Sequence, residues 1–421
     1  MYIVGDEEAE AVAEVIRSGK LFRYDVGHEC DRFEQRYADH LGVQHCALAA
    51  SGTYGLTAAL IGLGIGPGGE VLVPAHTYMA TATAVLAAGA IPVIVDVDES
   101  LTLDPAAAED AVGPLTRAMI PVHMWGTTAN MDALLDLARR RSLLVIEDAC
   151  QAVGGGYDGR PVGTLGHAGA FSFNYYKNMT AGEGGAVVTN DRAVAERARC
   201  AIDPCHFYWE GRSESLKPFA SIGARPSELM AAMLNVQLDR IDGIVAAMRT
   251  ERDRILAGTR ELESLGLRHA PLHSPEHDCG AQAFFTLPSA EAARRFADVF
   301  PCVIAGQTGR HNYTEWDAIL LREGAAHPAL NPFLLPENAG CRREYSKDMC
   351  PRSLDVLART VLVETDPRHG DSEVEDIVHN VTVAARVALG GLPREQAELR
   401  NARPVDKDKF DAGGTAPADE R

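Results

Sequence analysis

The sequence predicts an α/β fold: a large domain with a mainly parallel sheet flanked by helices, followed by a smaller C-terminal α+β domain. Short apolar runs rich in Val and Ile alternate with longer segments of helical apolar spacing, the pattern of repeated strand and helix units. A chain of 421 residues is long enough for two domains. The pattern changes near residue 228, where a long helical stretch begins.

Seven apolar runs that end in turn residues are predicted as strands: HCALAAS, EVLVPA, IPVIVDV, AMIPVHMW, LLVIEDA, GAFSF and GAVVTN. Helical spacing between them is clearest at TYGLTAALIGLG, MATATAVLAAG and MDALLDLARRR, and residues 1–18 predict a leading helix. Strands that alternate with helices pair in parallel and are covered on both faces. Because ligands bind beyond the carboxyl ends of such strands, the residues there are the candidate site.

We predict three parts of the chain: a large domain at 1–240, a smaller domain at 241–393 and a mobile tail at 394–421. The first boundary lies within ELMAAMLNVQLDRIDGIVAAMRTERDRILAGTREL, whose helical periodicity is expected to join the two domains. The tail is predicted from its polar composition.

Composition indicates small-molecule chemistry inside the cell. The 40 Lys and Arg residues are outnumbered by 59 Asp and Glu, which argues against a nucleic-acid surface. The nine cysteines form no C-x-x-C pair, so neither a disulfide framework nor a zinc site is indicated, and no metal is expected. The acidic N-terminus has no apolar signal segment, and no run of about 18 apolar residues follows. We therefore expect a cytoplasmic protein without membrane or nucleic-acid partners.

Two carboxylates, Glu147 and Asp148, follow the apolar run SLLVI. A carboxylate at the end of a buried strand needs a cation, a metal or hydrogen-bond donors, and a helix N-cap would account for one of the two. A metal is not indicated, because no His or Cys stands at ligand spacing on the same element. A protonated pyridine nitrogen is a cation that fits, and Gln151 is placed to face the same ligand.

Lys177 lies between the aromatic stretch FSFNYY and the turn GEGG. A lysine with a buried stem and an exposed amine is one interpretation. The other is a Schiff-base lysine, because desolvation and nearby cations lower the amine pKa and make it nucleophilic toward an aldehyde. Ser172, five residues earlier, offers a hydroxyl to a phosphate.

Ser51, Gly52 and Thr53 close the first strand and open a helix, where backbone N–H groups could hold a phosphate. An ordinary N-cap is the commoner interpretation of such residues. Tyr78, after the next strand, could cover a flat ring or simply pack. Phosphate, ring face, pyridine nitrogen and aldehyde are together the four groups by which proteins hold pyridoxal phosphate.

The chain resembles the sugar aminotransferases of the DegT/StrS family, pyridoxal-phosphate enzymes of the aspartate aminotransferase fold (fold type I). The likeness covers roughly the first 245 residues, and such an ordered set of motifs is far more specific than any one of them. It is carried by VAEVIRSGKL, CDRFEQRYADHLG, AASGTYGLTAAL, PAHTYMATATAVLAAGAIPVIVDVD, PVHMWGTTANMDAL, IEDACQAVGGGYDGRPVGTLGHAGAFSF, KNMTAGEGGAVVTND and RPSELMAAMLNVQLDRID.

The resemblance implies a role for each residue that matches the family's motifs. Lys177 takes the position of the cofactor-binding lysine and Asp148 that of the pyridinium partner, while Glu147 is expected to be structural. The remaining cofactor-binding positions are Gln151 near the ring hydroxyl, Tyr78 on the ring face, and Gly52, Thr53 and Ser172 at the phosphate.

Two departures from the family's pattern limit what can be carried over. Gly223 replaces an asparagine that reaches a neighbouring subunit's phosphate, for which Ser221 or a backbone N–H is a candidate substitute. The residues before the lysine also differ, and the C-terminal third matches only loosely. The candidate substrate residues are therefore drawn from the divergent stretches: His123, Asn174, Tyr175, Tyr176 and Arg310, with His206, Tyr208, His311 and Asn312 as further polar candidates.

The function implied by the resemblance is transfer of an amino group from glutamate or glutamine to a keto-sugar or keto-cyclitol, by a homodimer, in specialised metabolite or glycan synthesis. The TAGEGG form after Lys177 favours cyclitol or free-sugar acceptors slightly. Alternatives are a dehydration, an aldol-type cleavage or β-replacement on an amino acid, and a non-catalytic member of the fold. Dehydrating relatives carry histidine in place of the lysine, which argues against the first.

Overall fold

A computed structural model describes residues 3–24, 26–211 and 216–401. Its strands, numbered along the chain, are β1 (His45–Ala49), β2 (Glu70–Pro74), β3 (Ile91–Val95), β4 (Thr116–Met119), β5 (Leu144–Asp148), β6 (Gly156–Tyr157), β7 (Arg160–Pro161), β8 (Ala168–Ser172), β9 (Gly185–Thr189), β10 (Arg268–His269), β11 (Gln282–Thr286), β12 (Val303–Ile304) and β13 (Thr360–Glu364).

Helices connect and cover these strands. They are α1 (Asp6–Ser18), α2 (Glu29–Leu41), α3 (Gly52–Gly62), α4 (Ala80–Ala87), α5 (Pro105–Ala111), α6 (Met131–Arg141), α7 (Arg192–Ile202), α8 (Phe207–Glu210), α9 (Glu228–Leu238), α10 (Ile241–Thr259), α11 (Ala290–Ala297), α12 (Asp317–Leu320), α13 (Pro351–Arg359) and α14 (Asp371–Ala388). None of the helices in the described ranges is both long and apolar enough to cross a membrane.

Two sheets define the architecture. The large sheet has the order β1-β9-β8-β5-β4-β2-β3, in which β9 is antiparallel to both neighbours and the other pairs are parallel. The small sheet, β10-β11-β13-β12, is entirely antiparallel. The predicted fold class is therefore confirmed: a mainly parallel sheet between helices, followed by a smaller α+β unit.

Each of the seven predicted runs overlaps a strand of the large sheet. In AMIPVHMW the strand β4 ends at Met119, because Pro121 has no N–H to give to the ladder; pairing continues only as an isolated bridge of Val122 with Asp148, before the 3₁₀ turn Met124–Gly126. The helical stretch predicted from residue 228 is two helices, α9 and α10. At the break between them Arg240 donates to Glu8 of α1, with N and O 2.6 Å apart.

Residues beyond 240 contribute to both cores. The first half of α10 packs in the large domain through Ile244 and Met248, and its second half packs beside the small sheet through Ile255. The segment 313–350 returns to the large domain, where Tyr313, Trp316, Ile319, Phe333, Cys341 and Cys350 join its main core. The range 241–393 is therefore shared between the two units. Residues 402–421, most of the predicted tail, lie outside the described residues.

Candidate active site

A cavity of about 320 Å³ opens at the carboxyl ends of the parallel strands. Most of its lining comes from residues 51–183, which we call the large-domain wall. A second set of residues comes from the far end of the chain. We call it the C-terminal wall, and it consists of Ala281, Gln282, Arg310 and His311.

Asp148 ends β5 and is almost fully buried at the cavity. Its Oδ2 accepts a hydrogen bond from the Thr81 hydroxyl at 2.7 Å, and its Oδ1 accepts one from the Cys150 backbone N–H at 3.1 Å. The Thr81 hydroxyl is in turn 2.8 Å from that of Thr77. Both donors are neutral, so they fix the orientation of the carboxylate and leave its charge available to a ligand.

Glu147 belongs to the opposite face of β5, as alternation along a strand requires. Its carboxylate accepts three backbone N–H groups from the 163–166 segment at 2.6–2.8 Å, and it lies 3.1 Å from His123 Nε2. His123 Nδ1 accepts the Ala129 N–H, which leaves the ring proton on Nε2, where it is donated to Glu147. Glu147 therefore anchors a loop, in the structural position that the sequence predicts.

Two of the candidate substrate residues do not reach the cavity. His123 is fully buried, and both of its ring nitrogens are occupied by Glu147 and Ala129. Tyr175 is 47% exposed and packs edge-to-face on Tyr176, outside the lining. The structure gives His123 a supporting position instead, because it faces the same side of the sheet as Glu147.

Lys177 lies in the tight connection between β8 and β9. The Lys177 backbone N–H donates to Asn174 O at 3.0 Å, and the Tyr175 backbone N–H donates to Gly182 O at 2.9 Å. These two hydrogen bonds fix the turn that carries the lysine. Lys177 is half-buried and lines the same cavity as Asp148. Asn174 and Tyr176 line it too, as the sequence predicts.

The Asp148 carboxylate and the Lys177 amine both act on the thiol of Cys150. Burial raises the pKa of Cys150 well above its usual value, the Asp148 carboxylate raises it further, and the Lys177 ammonium lowers it. The structure therefore brings the carboxylate and the amine predicted from two separate motifs around one buried thiol.

The first turn of α3 forms one end of the cavity. Ser51 is the N-cap, and its side chain accepts the Tyr54 N–H at 3.2 Å, while Gly52, Thr53 and Ser172 complete the lining. A Cβ at Gly52 would lie 2.7 Å from Ser172 Cβ, so only glycine fits there. The unsatisfied N–H groups of a helix start form an anion site, and the residues present fit a phosphate.

Tyr78 lies where the two walls meet. Its ring is 39% exposed, and the Arg310 guanidinium carbon is 5.6 Å from the ring centroid. The segment that carries Arg310 is held against the end of β2, since Thr77 N–H donates to His311 O at 2.9 Å and Met79 N–H to Arg310 O at 3.1 Å. The loosely matched GQTGRH segment is thus part of the site.

Sequence reasoning missed several lining residues. Trp125 follows β4 and donates its backbone N–H to Gln151 Oε1 at 3.3 Å. It lines the cavity beyond the carboxyl end of a parallel strand, as Asp148 does, so the same rule could have selected it. Glu183 accepts from Asn174 Nδ2 at 3.1 Å. Gln282 begins β11, a strand of the other sheet, and no local pattern marks it. The further polar candidates Asn312, His206 and Tyr208 lie outside the cavity lining.

Within residues 3–24, 26–211 and 216–401, no group of three or more His, Cys, Asp or Glu side chains could hold a metal ion.

Residues 3–299 match the DegT/DnrJ/EryC1/StrS aminotransferase family. The chain belongs to this family. Pyridoxal phosphate is the cofactor of this family and therefore of this chain.

Relatives within the family include sugar and cyclitol enzymes. GDP-perosamine synthase of Caulobacter vibrioides is 40% identical over 59% of this chain and 66% of its own length. A putative L-glutamine:3-amino-2,3-dideoxy-scyllo-inosose aminotransferase of Streptoalloteichus tenebrarius is 36% identical over 61% of this chain and 62% of its own length. The matched region thus spans just under two thirds of either relative.

A solved structure shows the same fold over nearly the whole chain. DesV of S. venezuelae, in complex with a ketimine intermediate, is 31% identical with a TM-score of 0.71, covering 90% of this chain and 94% of that one. The likeness in structure therefore continues beyond residue 299, where the family match ends.

Proposed function

We propose that this chain transfers an amino group from glutamate or glutamine to a carbonyl of a keto-sugar or keto-cyclitol. The observation that carries the proposal is that Lys177 and Asp148 line one cavity, which ends at the first turn of α3. The named activities of the family relatives support the sugar or cyclitol class. Synthesis of specialised metabolites or glycans is the setting that such an activity fits.

The residues present match the groups of pyridoxal phosphate one by one. We assign the phosphate to Gly52, Thr53 and Ser172, the ring face to Tyr78, and Gln151 to the ring hydroxyl. When bound, the cofactor supplies an electron sink for the carbon from which a proton is removed.

Lys177 has two tasks in this proposal. Its amine would hold the cofactor through the aldehyde until an amino donor binds. Nζ would then serve as the general base that takes the proton from the donor's α-carbon, because the amine is partly desolvated in a half-buried turn. The turn from Asn174 to Lys177 keeps it within the cavity during both tasks.

Asp148 has an electrostatic task. Its carboxylate is oriented by Thr81 and by the Cys150 N–H, and both leave the negative charge unneutralised. A fixed negative charge in a buried site keeps a ring nitrogen protonated, which strengthens the electron sink. The presence of both Lys177 and Asp148 in one cavity favours catalysis over a non-catalytic member of the fold, and the lysine favours transamination over dehydration.

We propose a cytoplasmic homodimer, with the second subunit packed near the phosphate end of the cavity. An exposed apolar surface supports this: Trp209 is 54% exposed and packs with Phe22 at a ring-centroid distance of 5.2 Å, and Ile222 is 86% exposed. Ser221, a candidate for the missing asparagine contact at Gly223, bonds instead to groups of its own chain, Tyr54 among them. A backbone N–H of the partner is therefore the substitute that we propose.

Lys177→Ala tests the assignment directly. We expect borohydride reduction of the wild-type holoenzyme, followed by peptide mapping, to place the cofactor on Lys177, and the variant to carry no such label. Because a general base contributes about 10²–10⁴-fold, the half-reaction with glutamate or glutamine should slow by at least that factor. Lys347→Ala, which removes an exposed lysine elsewhere, is the control. A label on a different lysine would overturn the assignment.

The acceptor class needs a separate experiment. Enzyme loaded with the donor's amino group is mixed with keto-sugars, keto-cyclitols, nucleotide keto-sugars and simple keto acids, and the cofactor's absorbance is followed. We expect keto-sugars or keto-cyclitols to restore the starting spectrum. Restoration by simple keto acids alone would overturn the sugar proposal.

A further inference from the structure

Arg310 is a cation in the cavity wall without a carboxylate beside it. Its guanidinium lies over the Tyr78 ring, and its Nε is buried with no hydrogen-bond partner among the described residues. Arg23 also has an Nε without a partner, but it forms a salt bridge with Glu34, as the buried Arg252 does with Asp278, whereas half-buried Arg310 has no salt bridge to the described residues. A buried N–H without an acceptor is unfavourable, so a ligand that supplies one completes this wall.

The main chain holds Arg310 in place. Its carbonyl accepts from Met79 N–H at 3.1 Å and from Trp316 Nε1–H at 3.0 Å, and the next residue bonds to Thr77. None of these contacts uses the Arg310 side chain. The guanidinium is therefore presented by a fixed backbone, and replacing the side chain leaves that backbone anchored.

Gln282 adds an acceptor to the same wall. It is 4% exposed and lines the cavity, and its Oε1 has no donor in the described part of the chain. The C-terminal wall therefore offers one cation and one unused carbonyl oxygen. A ligand that satisfies both must carry an anion and a hydrogen-bond donor, either N–H or O–H.

Charge arithmetic narrows the ligand. Four charged residues line the cavity: Asp148, Lys177, Glu183 and Arg310, two negative and two positive. The proposed function assigns Lys177 and Asp148 to the cofactor, and Glu183 accepts from Asn174. Arg310 is the cation that remains for a substrate, and it balances a single negative charge.

We propose that Arg310 and Gln282 form the amino-donor subsite, in which Arg310 binds the donor's α-carboxylate and Gln282 Oε1 accepts a donor N–H. This inference rests on the proposed function. A carboxylate matches one guanidinium in charge and in its two-pronged geometry. A diphosphate carries more charge than one arginine balances, and its ionised oxygens are acceptors that donate nothing to Gln282 Oε1. The α-carboxylate is favoured because glutamine and glutamate share it, whereas glutamine has no side-chain carboxylate.

The first experiment measures binding without turnover. Glutarate, which carries the carboxylates but no amine, is titrated calorimetrically into holoenzyme. We expect Arg310→Gln to weaken glutarate binding about 100-fold. Arg310→Lys should weaken it less, since lysine keeps the positive charge but lacks the paired N–H groups of the guanidinium. Arg139→Gln, at an exposed site on α6, should bind as wild type does. Equal glutarate binding by wild type and Arg310→Gln would overturn the inference, as would loss of pyrophosphate binding alone.

The second experiment uses the half-reaction. Wild type should prefer L-glutamate strongly over its α-amide, and Arg310→Gln should lose that preference mainly through the donor concentration needed for half-saturation. Gln282→Leu should raise that concentration about tenfold or less for L-glutamate. An unchanged preference in Arg310→Gln would overturn the assignment. A wild type that binds glutarate through Arg310 but reacts with neither amino acid would overturn the proposed function and still support the carboxylate subsite.

Discussion

The large-domain wall and the C-terminal wall of the cavity differ in how their polar groups are satisfied. Both oxygens of Asp148 accept hydrogen bonds from the protein, and Ser51 accepts one from its own helix. Across the described residues, Arg310 Nε and Gln282 Oε1 have no partner. The chain itself thus orients the side chains of the first wall and leaves the Asp148 charge and the helix N–H groups to a ligand, whereas the side chains of the second wall are hydrogen-bonded only when a ligand binds.

The two walls also differ in how they are built. Asp148 and Ser172 each end a strand of one parallel sheet, so the sheet alone brings them together. Arg310 reaches the site because its segment docks beside β2 after more than 200 intervening residues. A preorganised wall suits a cofactor that stays bound, and an unsatisfied wall suits substrates that come and go.

The largest expected effect tests the large-domain wall at its charge. Asp148→Asn keeps the shape and removes the negative charge; its Oδ1 can still accept from the Cys150 N–H, and the Thr81 hydroxyl can rotate to accept from the new amide N–H. We expect the half-reaction rate to fall about 10²–10³-fold, the usual loss for one preorganised electrostatic group, with the unfolding free energy little changed. Stopped-flow absorbance and urea unfolding measure the two quantities.

A matched variant separates charge from orientation at the same carboxylate. Thr81→Val removes one neutral donor to Asp148 Oδ2 and should cost about 1 kcal/mol, or roughly five- to tenfold in rate. If Asp148→Asn retained near-normal turnover while Thr81→Val lost it, the aspartate would be structural and the comparison between the walls would fail.

The same difference explains what could be predicted from sequence. Asp148 and Lys177 stand out locally, because a charge beside an apolar strand has few structural explanations, and parallel strands bring their ends together. Gln282 has no such mark, since its strand belongs to the small sheet. His123 was misplaced because the order of residues after β4 does not reveal which face of the sheet a side chain takes once a 3₁₀ turn follows.

At the level of the fold, the apolar pattern predicted the seven strands of the large sheet and the helices α1, α3, α4, α6, α9 and α10. It did not predict the return of 313–350 to the large domain, because the apolar side chains of Trp316 and Phe333 would suit either core. Packing between distant segments decides that choice, and no pattern within a single segment records it.

The second prediction concerns the far side of β5, where the carboxylate is structural. Glu147→Gln should lower the unfolding free energy by about 1.5–3 kcal/mol, because a charged acceptor of three backbone N–H groups becomes a neutral one, half of which is itself a donor. The half-reaction rate of the folded variant should stay within a few-fold of wild type. Urea unfolding checks the first quantity and stopped-flow the second.

Glu276→Gln, at an exposed position, is the control and should leave the stability unchanged. If Glu147→Gln were fully stable but lost the half-reaction, Glu147 would act in catalysis together with Asp148. The different contacts of the two carboxylates predict the opposite.

The smallest expected effect lies at the boundary between the two walls, which we call the seam. There the His76 backbone forms an isolated β-bridge with Asn312, and the His76 ring packs on Trp125 at a centroid distance of 4.7 Å. His76 is fully buried, and neither ring nitrogen has a hydrogen bond of normal geometry to the described residues. Burial, and after it nearby His311, lower the pKa of His76 from 6.5 to about 3, although the Leu101 backbone acts in the opposite direction.

The seam should therefore lose stability as the pH falls. His76 stays neutral in the folded chain but takes up a proton in the unfolded chain below pH 6.5, so a falling pH stabilises the unfolded state. His76 alone should therefore lower the unfolding free energy by about 1.4 kcal/mol between pH 8 and pH 5.5. His76→Phe keeps an aromatic ring against Trp125 and cannot titrate. Urea unfolding of both proteins across this range should give a shallower pH dependence for the variant, and a constant packing loss would cancel because slopes are compared. Identical slopes would mean that the pKa of His76 is not lowered in the folded chain. The His76 ring would then have a hydrogen-bond partner at the boundary between the walls, as the side chains of the large-domain wall do.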